Sequence, residues 1–191
     1  MKLFVLSGPS GVGKGTLANM LKERNPEIAL SISCTTRPPR KGETDGVDYF
    51  FLSRGEFLER ANKGLFYEYS EHFDNFYGTP KDYVEQMLKT KNVLLEIDVN
   101  GGELIKKKCP EAVLIFLKAP SIEALRDRLV HRNTESYEKI EKRLARLDYE
   151  YSLEKDYDYV VVNDKLETTY NEILDCLLYT SPSPRDRSVS R

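Results

Sequence analysis

The sequence predicts an α/β fold in which a parallel sheet is flanked by helices on both faces, and three observations carry the prediction. Short apolar runs alternate with longer segments of helical periodicity, as expected of strands buried on both faces and joined by crossover helices. The first run, Leu3-Phe4-Val5-Leu6, stops at a glycine-rich stretch and passes straight into Leu17-Ala18-Asn19-Met20-Leu21-Lys22, a helix-like segment. One interval, residues 34–91, breaks the alternation. It is rich in Tyr, Phe and turn residues, which reads as a small mixed sheet inserted after the second strand.

Taken in order, the first strand spans 2–7 and the first helix 16–24. Between them lies Gly8-Pro9-Ser10-Gly11-Val12-Gly13-Lys14-Gly15-Thr16. A strand that ends at glycines and turns into a helix aims several backbone N–H groups at one point, reinforced by the positive end of the helix dipole. A triphosphate is the natural occupant: Lys14 reaches the outer phosphates, and Thr16 offers its hydroxyl to a phosphate oxygen or to a magnesium shell. The general motif puts Ser or Thr directly after the lysine. Here Gly15 stands there, and Gly-Lys-Gly-Thr resembles the variant common in nucleoside monophosphate kinases. The architecture is that of a P-loop kinase.

The second strand is expected over 29–33. In the insert, Tyr49-Phe50-Phe51-Leu52 and Phe66-Tyr67-Glu68-Tyr69 read as short strands, with helices over 54–63 and 80–90. Strand 93–97 ends at Asp98, at the sheet edge where ligands of this architecture gather. Helix 101–108, strand 112–117 and helix 122–132 follow. The polar link His131-Arg132-Asn133-Thr134-Glu135-Ser136 suits a mobile lid, here placed over about 126–150. A long charged helix over 136–154, a strand over 157–162 and a last helix over 168–175 complete the domain. Residues 1–33 and 92–175 would form its core.

From Thr180 the chain turns into Thr-Ser-Pro-Ser-Pro-Arg-Asp-Arg-Ser-Val-Ser-Arg, polar and without periodicity, which cannot pack as a helix. The stretch from Cys176 to Asp186 resembles the translation of a sequencing-library adapter. Residues 176–191 are therefore expected to be foreign to the fold, a natural Ser/Pro tail being the alternative.

The composition excludes several classes. A chain of 191 residues with net charge −2 and pI near 5.8 suits one domain with an insert and advertises no basic field for nucleic acid or membrane. No run approaches a membrane span, so a cytoplasmic location is the expectation. Cys34, Cys109 and Cys176 are odd in number and far apart, hence free thiols rather than a disulfide or zinc framework.

The insert names the acceptor. Ser33-Cys34-Thr35-Thr36-Arg37-Pro38-Pro39-Arg40-Lys41-Gly42-Glu43, continuing to Tyr49-Phe50-Phe51, resembles the signature of guanylate kinases, and the resemblance runs from Lys2 to about Asp175. It implies an inserted subdomain over about 34–91 that binds GMP, with ATP as the donor and Mg²⁺ as the cofactor. Arg37, Arg40 and Tyr49 would grip the acceptor phosphate, as two guanidiniums and a phenol can, with Tyr77 adding a contact. Ser33, Glu68 and Thr79 would read the base: guanine offers N1–H and an amine to one carboxylate, and its O6 wants a hydroxyl donor. Asp98 resembles the family's acidic residue near the acceptor. Arg132 and Arg143 match its lid arginines, although Asn133 replaces its usual glycine. Asn163 stands where the family contacts adenine, or else caps the strand-to-helix turn.

The expected reaction is ATP + GMP → ADP + GDP, in a monomer or small homo-oligomer with no nucleic-acid or membrane partner. Two rivals stay open: a kinase for another monophosphate, and a non-enzymatic interaction module of the same fold. A GTPase is disfavoured. Asp98-Val99-Asn100-Gly101 matches that class's Asp-x-x-Gly, but Asn163-Asp164-Lys165 is not its guanine-reading Asn-Lys-x-Asp.

Overall fold

A computed structural model describes residues 1–72, 74–131 and 136–178. In chain order the elements are β1 (Leu3–Ser7), α1 (Lys14–Arg24), β2 (Ile28–Leu30), β3 (Cys34–Thr35), β4 (Phe50–Phe51), α2 (Arg54–Asn62), β5 (Phe66–His72), β6 (Asn75–Pro80) and α3 (Lys81–Met87). Then come β7 (Asn92–Glu96), α4 (Val99–Lys108), β8 (Val113–Lys118), α5 (Ile122–His131), α6 (Tyr137–Leu144), α7 (Leu147–Ser152), β9 (Tyr159–Val162) and α8 (Leu166–Leu178). Five parallel strands form the main sheet in the order β2-β7-β1-β8-β9. A second, mixed sheet runs β4-β3-β6-β5.

Both faces of the central strands are covered, which is why they read as unbroken apolar runs; all five residues of β1 are buried, whereas Val160 and Val162 on the edge strand β9 stay exposed. Alternation along the strands sends Phe4, Leu6, Leu94, Ile115 and Leu117 to one face, packed with Leu17, Leu21 and Ile173. Leu3, Val5, Val93, Leu95 and Phe116 go to the other, packed with Val84, Ile105 and Tyr157. The second sheet has a core of its own, in which Phe57 stacks on Phe66 and Phe76 at centroid distances of 4.6 and 5.3 Å. The Ser53–Glu56 capping box fixes the start of α2, and so presents Phe57 to that cluster.

Four expectations need correction. The single helix over 136–154 is broken at Ala145-Arg146 into α6 and α7 and is followed by a 3-10 turn over Glu154–Asp156. The break lets Leu147 enter the core, only 3% exposed, while Arg146 lines the cleft. Helix α4 begins at Val99 rather than 101, because Asp98 caps it by accepting from the N–H groups of Asn100 and Gly101. The third is α3, which ends at Met87, short of 90. Finally, α8 continues to Leu178 with Cys176 and Leu177 buried, so the packed chain runs three residues beyond the boundary drawn at Asp175. The rest of the tail, 179–191, lies outside the described residues.

Candidate active site

The loop after β1 holds Gly8, Gly11 and Gly13 at φ +148°, +83° and +105°, left-handed values that L side chains rarely adopt. A Cβ on Gly8 would lie 2.2 Å from the Leu117 carbonyl oxygen. Glycine is thus what lets the loop pass across the end of β8. The carbonyls of the loop are used internally. Lys14 Nζ donates to Gly8 O (2.7 Å) and Pro9 O (3.0 Å), and Val12 O accepts from Asn163 Nδ2 (2.8 Å) and Arg128 Nη1 (3.2 Å). The Val12 N–H donates to Pro9 O at 3.3 Å, and a turn of this kind running into a helix offers its other N–H groups to an anion.

That cleft has a volume of about 520 Å³ and opens at the carboxyl ends of β1 and β7. The loop contributes Gly8, Ser10, Gly11, Gly13, Lys14, Gly15 and Thr16 to its wall, and α6 contributes Arg143, whose Nη1 donates to Ser10 Oγ at 2.7 Å. On the opposite side stand Ser33, Arg37, Arg40, Tyr49, Glu68, Tyr77 and Asp98. Ser10 and Arg143, 133 positions apart in sequence, therefore face one space. Arg132 lies outside the described residues.

The acceptor side is built in two parts. Arg37 is half-buried beneath Tyr49, its guanidinium 5.4 Å from the ring centroid, and Tyr49 meets Tyr77 edge-on at 6.2 Å. Glu43 holds this corner: Oε1 accepts from Arg37 Nη2 at 2.8 Å and Oε2 from the Arg40 N–H at 2.7 Å. Deeper in, Glu68 is 4% exposed and accepts from Thr79 Oγ1 at 2.6 Å. Burial pushes its carboxyl up to about 7, against the pull of the Thr79 bond and with help from the charge on Asp98. Asp98 goes the other way. Burial alone would raise it, but hydrogen bonds from His72, Gly101 and Ser70 bring it down to about 2.

Pro9 and Val12 of the loop are not among the residues lining the cleft, Val12 being wholly buried, and three further expected contacts take other positions. Thr79 is wholly buried and is not among the residues lining the cleft; its hydroxyl is spent on Glu68. Asn163, 6% exposed, does not line the cleft either. Its side chain braces Val12 and its carbonyl accepts from Arg128 at 2.7 Å, because β9 delivers it beneath the loop rather than above it. Asp98 lines the cleft, but both its oxygens are occupied, Oδ1 by two backbone N–H groups and Oδ2 by His72 and Ser70. Sequence reasoning passed over His72, Glu96, Arg146 and Glu150, which also line the cleft. The alternation Glu68, Ser70, His72 along β5 is the one signal that could have found a member of this set.

Gly101 permits the deep pocket. A Cβ there would lie 2.9 Å from Glu68 Oε2, and Glu68 is fixed by Thr79. Gly101→Ala is expected to displace the carboxylate and raise KM for GMP roughly tenfold, with KM for ATP unchanged, because an unpaired buried polar edge is costly. Steady-state titration of each nucleotide checks it.

A glycine-rich phosphate loop feeding a helix, a lysine and an arginine on one side, and a second polar pocket across the same cleft define a P-loop phosphotransferase. Comparison with known proteins narrows the class. A family model described as guanylate kinase matches residues 1–179, and the chain belongs to the guanylate kinase family. It is 49% identical over 172 residues to the guanylate kinase of Clostridioides difficile, covering 90% of this chain and 84% of that one. With the guanylate kinase of Synechococcus sp. (strain JA-3-3Ab) it shares 46% over 184 residues, 96% of this chain and 84% of the relative. The crystal structure of guanylate kinase from Anaplasma phagocytophilum superposes with a TM-score of 0.75 at 35% identity, over 100% of this chain and 94% of that one. A shikimate kinase from Bacteroides thetaiotaomicron shares the fold alone, at a TM-score of 0.55 and 15% identity.

Proposed function

We propose that this chain transfers the γ-phosphoryl group of ATP to GMP, giving ADP and GDP. The observation that carries the reading is the pairing, within one cleft, of the phosphate loop with the buried Glu68–Thr79 pair and the Arg37–Tyr49–Tyr77 corner. In this reading the loop N–H groups and Lys14 hold the donor phosphates, Arg37, Arg40, Tyr49 and Tyr77 hold the acceptor phosphate, and Glu68 with Ser33 reads guanine. Thr79 acts through Glu68 by orienting it, and Asn163 acts through Val12 by bracing the loop. Asp98 anchors β5 to the start of α4. The role of Arg143 and the lid assignment over 126–150, with Arg132 in it, belong to this proposal, as do the insert over 34–91 and the cytoplasmic setting.

The step itself asks little of the protein beyond alignment and charge neutralisation. An oxygen of the GMP phosphate attacks the γ-phosphorus in line, the bond to the β–γ bridging oxygen breaks, and ADP carries that oxygen away. The nucleophile is already anionic, so no general base is required. Lys14 and Arg143 offset charge on the transferring group. A divalent metal suits the residues present: Thr16 is exposed at the cleft, and the Glu96 carboxylate lies 3.5 Å from where a Cβ on the adjacent Gly15 would stand. Mg²⁺ is held mainly by substrate phosphates and water, with one or two protein ligands at most. When bound, Mg²⁺ would neutralise charge on the β and γ oxygens.

Magnesium-dependent ADP release from ATP, compared across GMP, AMP, UMP and no acceptor, tests the reading. Turnover confined to GMP is expected; equal turnover with AMP or UMP would overturn the assignment of Glu68. A pH dependence follows as well. Only the ionised Glu68 can accept from both N1–H and the amine, so with its carboxyl at about 7 the affinity for GMP is full above that pH and lost below it. KM for GMP is expected to rise roughly tenfold between pH 8 and pH 6. The GMP phosphate also titrates in this range, so the slope that remains in Glu68→Gln reports the phosphate alone.

A further inference from the structure

Arg146 has no part in the mechanism above, yet it stands at its centre. It lies at the α6–α7 junction, three residues beyond Arg143, and lines the cleft. Its Nη1 is 3.3 Å from His72 Nδ1 and its Nε 3.9 Å from Glu150 Oε1. A guanidinium has only donors, so Nδ1 of His72 accepts and the ring proton is on Nε2. That nitrogen lies 2.7 Å from Asp98 Oδ2 and 2.9 Å from Ser70 Oγ, and the Nε2 proton and the Ser70 hydroxyl both find an acceptor in Asp98 Oδ2. Ser70 and His72 share a face of β5 with Glu68, which places His72 on the acceptor side. Glu150 lines the same cleft, its carboxyl pushed up by burial while the charges of Lys14 and Arg146 oppose the rise. Arg146 thus stands between Arg143, which is bonded to Ser10 of the phosphate loop, and His72 on the acceptor strand.

We propose that Arg146 is a further cation of the transfer site, set between donor and acceptor by Glu150 and His72, and that it contacts the oxygens of the phosphoryl group in flight. His72 is its positioning residue. The inference rests on the ATP:GMP reading. The transition state spreads charge over three equatorial oxygens, and a planar fork of donors suits two of them at once. His72 Nδ1 gives that fork an acceptor that carries no negative charge, so Arg146 is kept in place without being neutralised by it.

The test is steady-state kinetics of the full chain, with urea unfolding alongside. Arg146→Gln is expected to lower kcat about 10- to 100-fold with both KM values within about threefold, and added guanidinium ion to restore part of the rate. Arg146→Lys, which keeps charge and bulk, is expected to hold the wild-type unfolding midpoint and still lose kcat, so the inference stays testable if the Gln variant folds poorly. His72→Phe is expected to lower kcat about three- to tenfold and to change nothing further once Arg146 is Gln, the sign of action through one residue. A kcat for Arg146→Gln within twofold of wild type, a loss confined to KM, or additive effects of the two substitutions would overturn the inference. Wild-type chain that folds but does not turn over GMP would overturn the proposed function and, with it, this inference.

Discussion

Glu68→Gln is expected to cut kcat/KM for GMP by roughly a thousandfold while leaving ATP affinity within about twofold. The carboxylate is 4% exposed and sits beside Thr79 and Gly101. A glutamine can still accept the Thr79 bond, but its amide presents a donor where guanine also presents donors. The same substitution separates binding from folding. The Glu68 carboxyl stands at about 7 against an ordinary 4.5, so ionising it costs the folded chain on the order of 3 kcal/mol above pH 7. That cost is absent below 4.5, grows as pH rises from there to 7 and is complete above it. The variant should therefore unfold at higher urea than wild type at pH 8, with the difference vanishing near pH 4. Equal losses for GMP and ATP, or a destabilised variant at pH 8, would remove Glu68 from the base-reading role.

Lys14→Met is expected to lower kcat by about a thousandfold, since it removes the mobile cation from the phosphates of a preorganised site. The lysine Nζ donates to the carbonyls of Gly8 and Pro9, so its ammonium also ties the loop together. Lys14→Arg is expected to recover little. The guanidinium is planar and broad, and the space beside those two carbonyls was shaped around a single ammonium. GMP binding, followed by calorimetry in the absence of ATP, should remain within a few-fold in both variants, because the acceptor corner is held by Glu43 and Glu68 on other elements. A Met variant with near-wild-type turnover would dissociate the loop from the chemistry.

What could be read from the chain was contiguous or periodic. The loop from Gly8 to Thr16 lies in one stretch, and its geometry follows from the residues themselves: three glycines at left-handed φ, a lysine, then the start of a helix. The central strands announced themselves as apolar runs because both their faces are covered. Arg37, Arg40 and Tyr49 sit within thirteen residues of one another, and the fold brings them to one wall of the cleft. Where the reading stopped, the deciding contacts were remote. Asn163 and Val12 are 151 positions apart, and only the parallel stacking of β8 and β9 shows that the amide arrives under the loop. Asp98 looked available for a substrate until Ser70 and His72, 28 and 26 positions away, were seen to fill its second oxygen.

The sequence by itself determined the sheet and the phosphate loop, because each rests on spacing along one segment or on the periodicity of one element, and it carried the family resemblance that implied the acceptor. The tertiary structure alone decided which of the named side chains face the cleft and which brace it from behind. It also decided where the long charged helix breaks. That break turns on Leu147 entering the core while its neighbour Arg146 is left to His72 and Glu150, a balance between burial and polar pairing that no local pattern records.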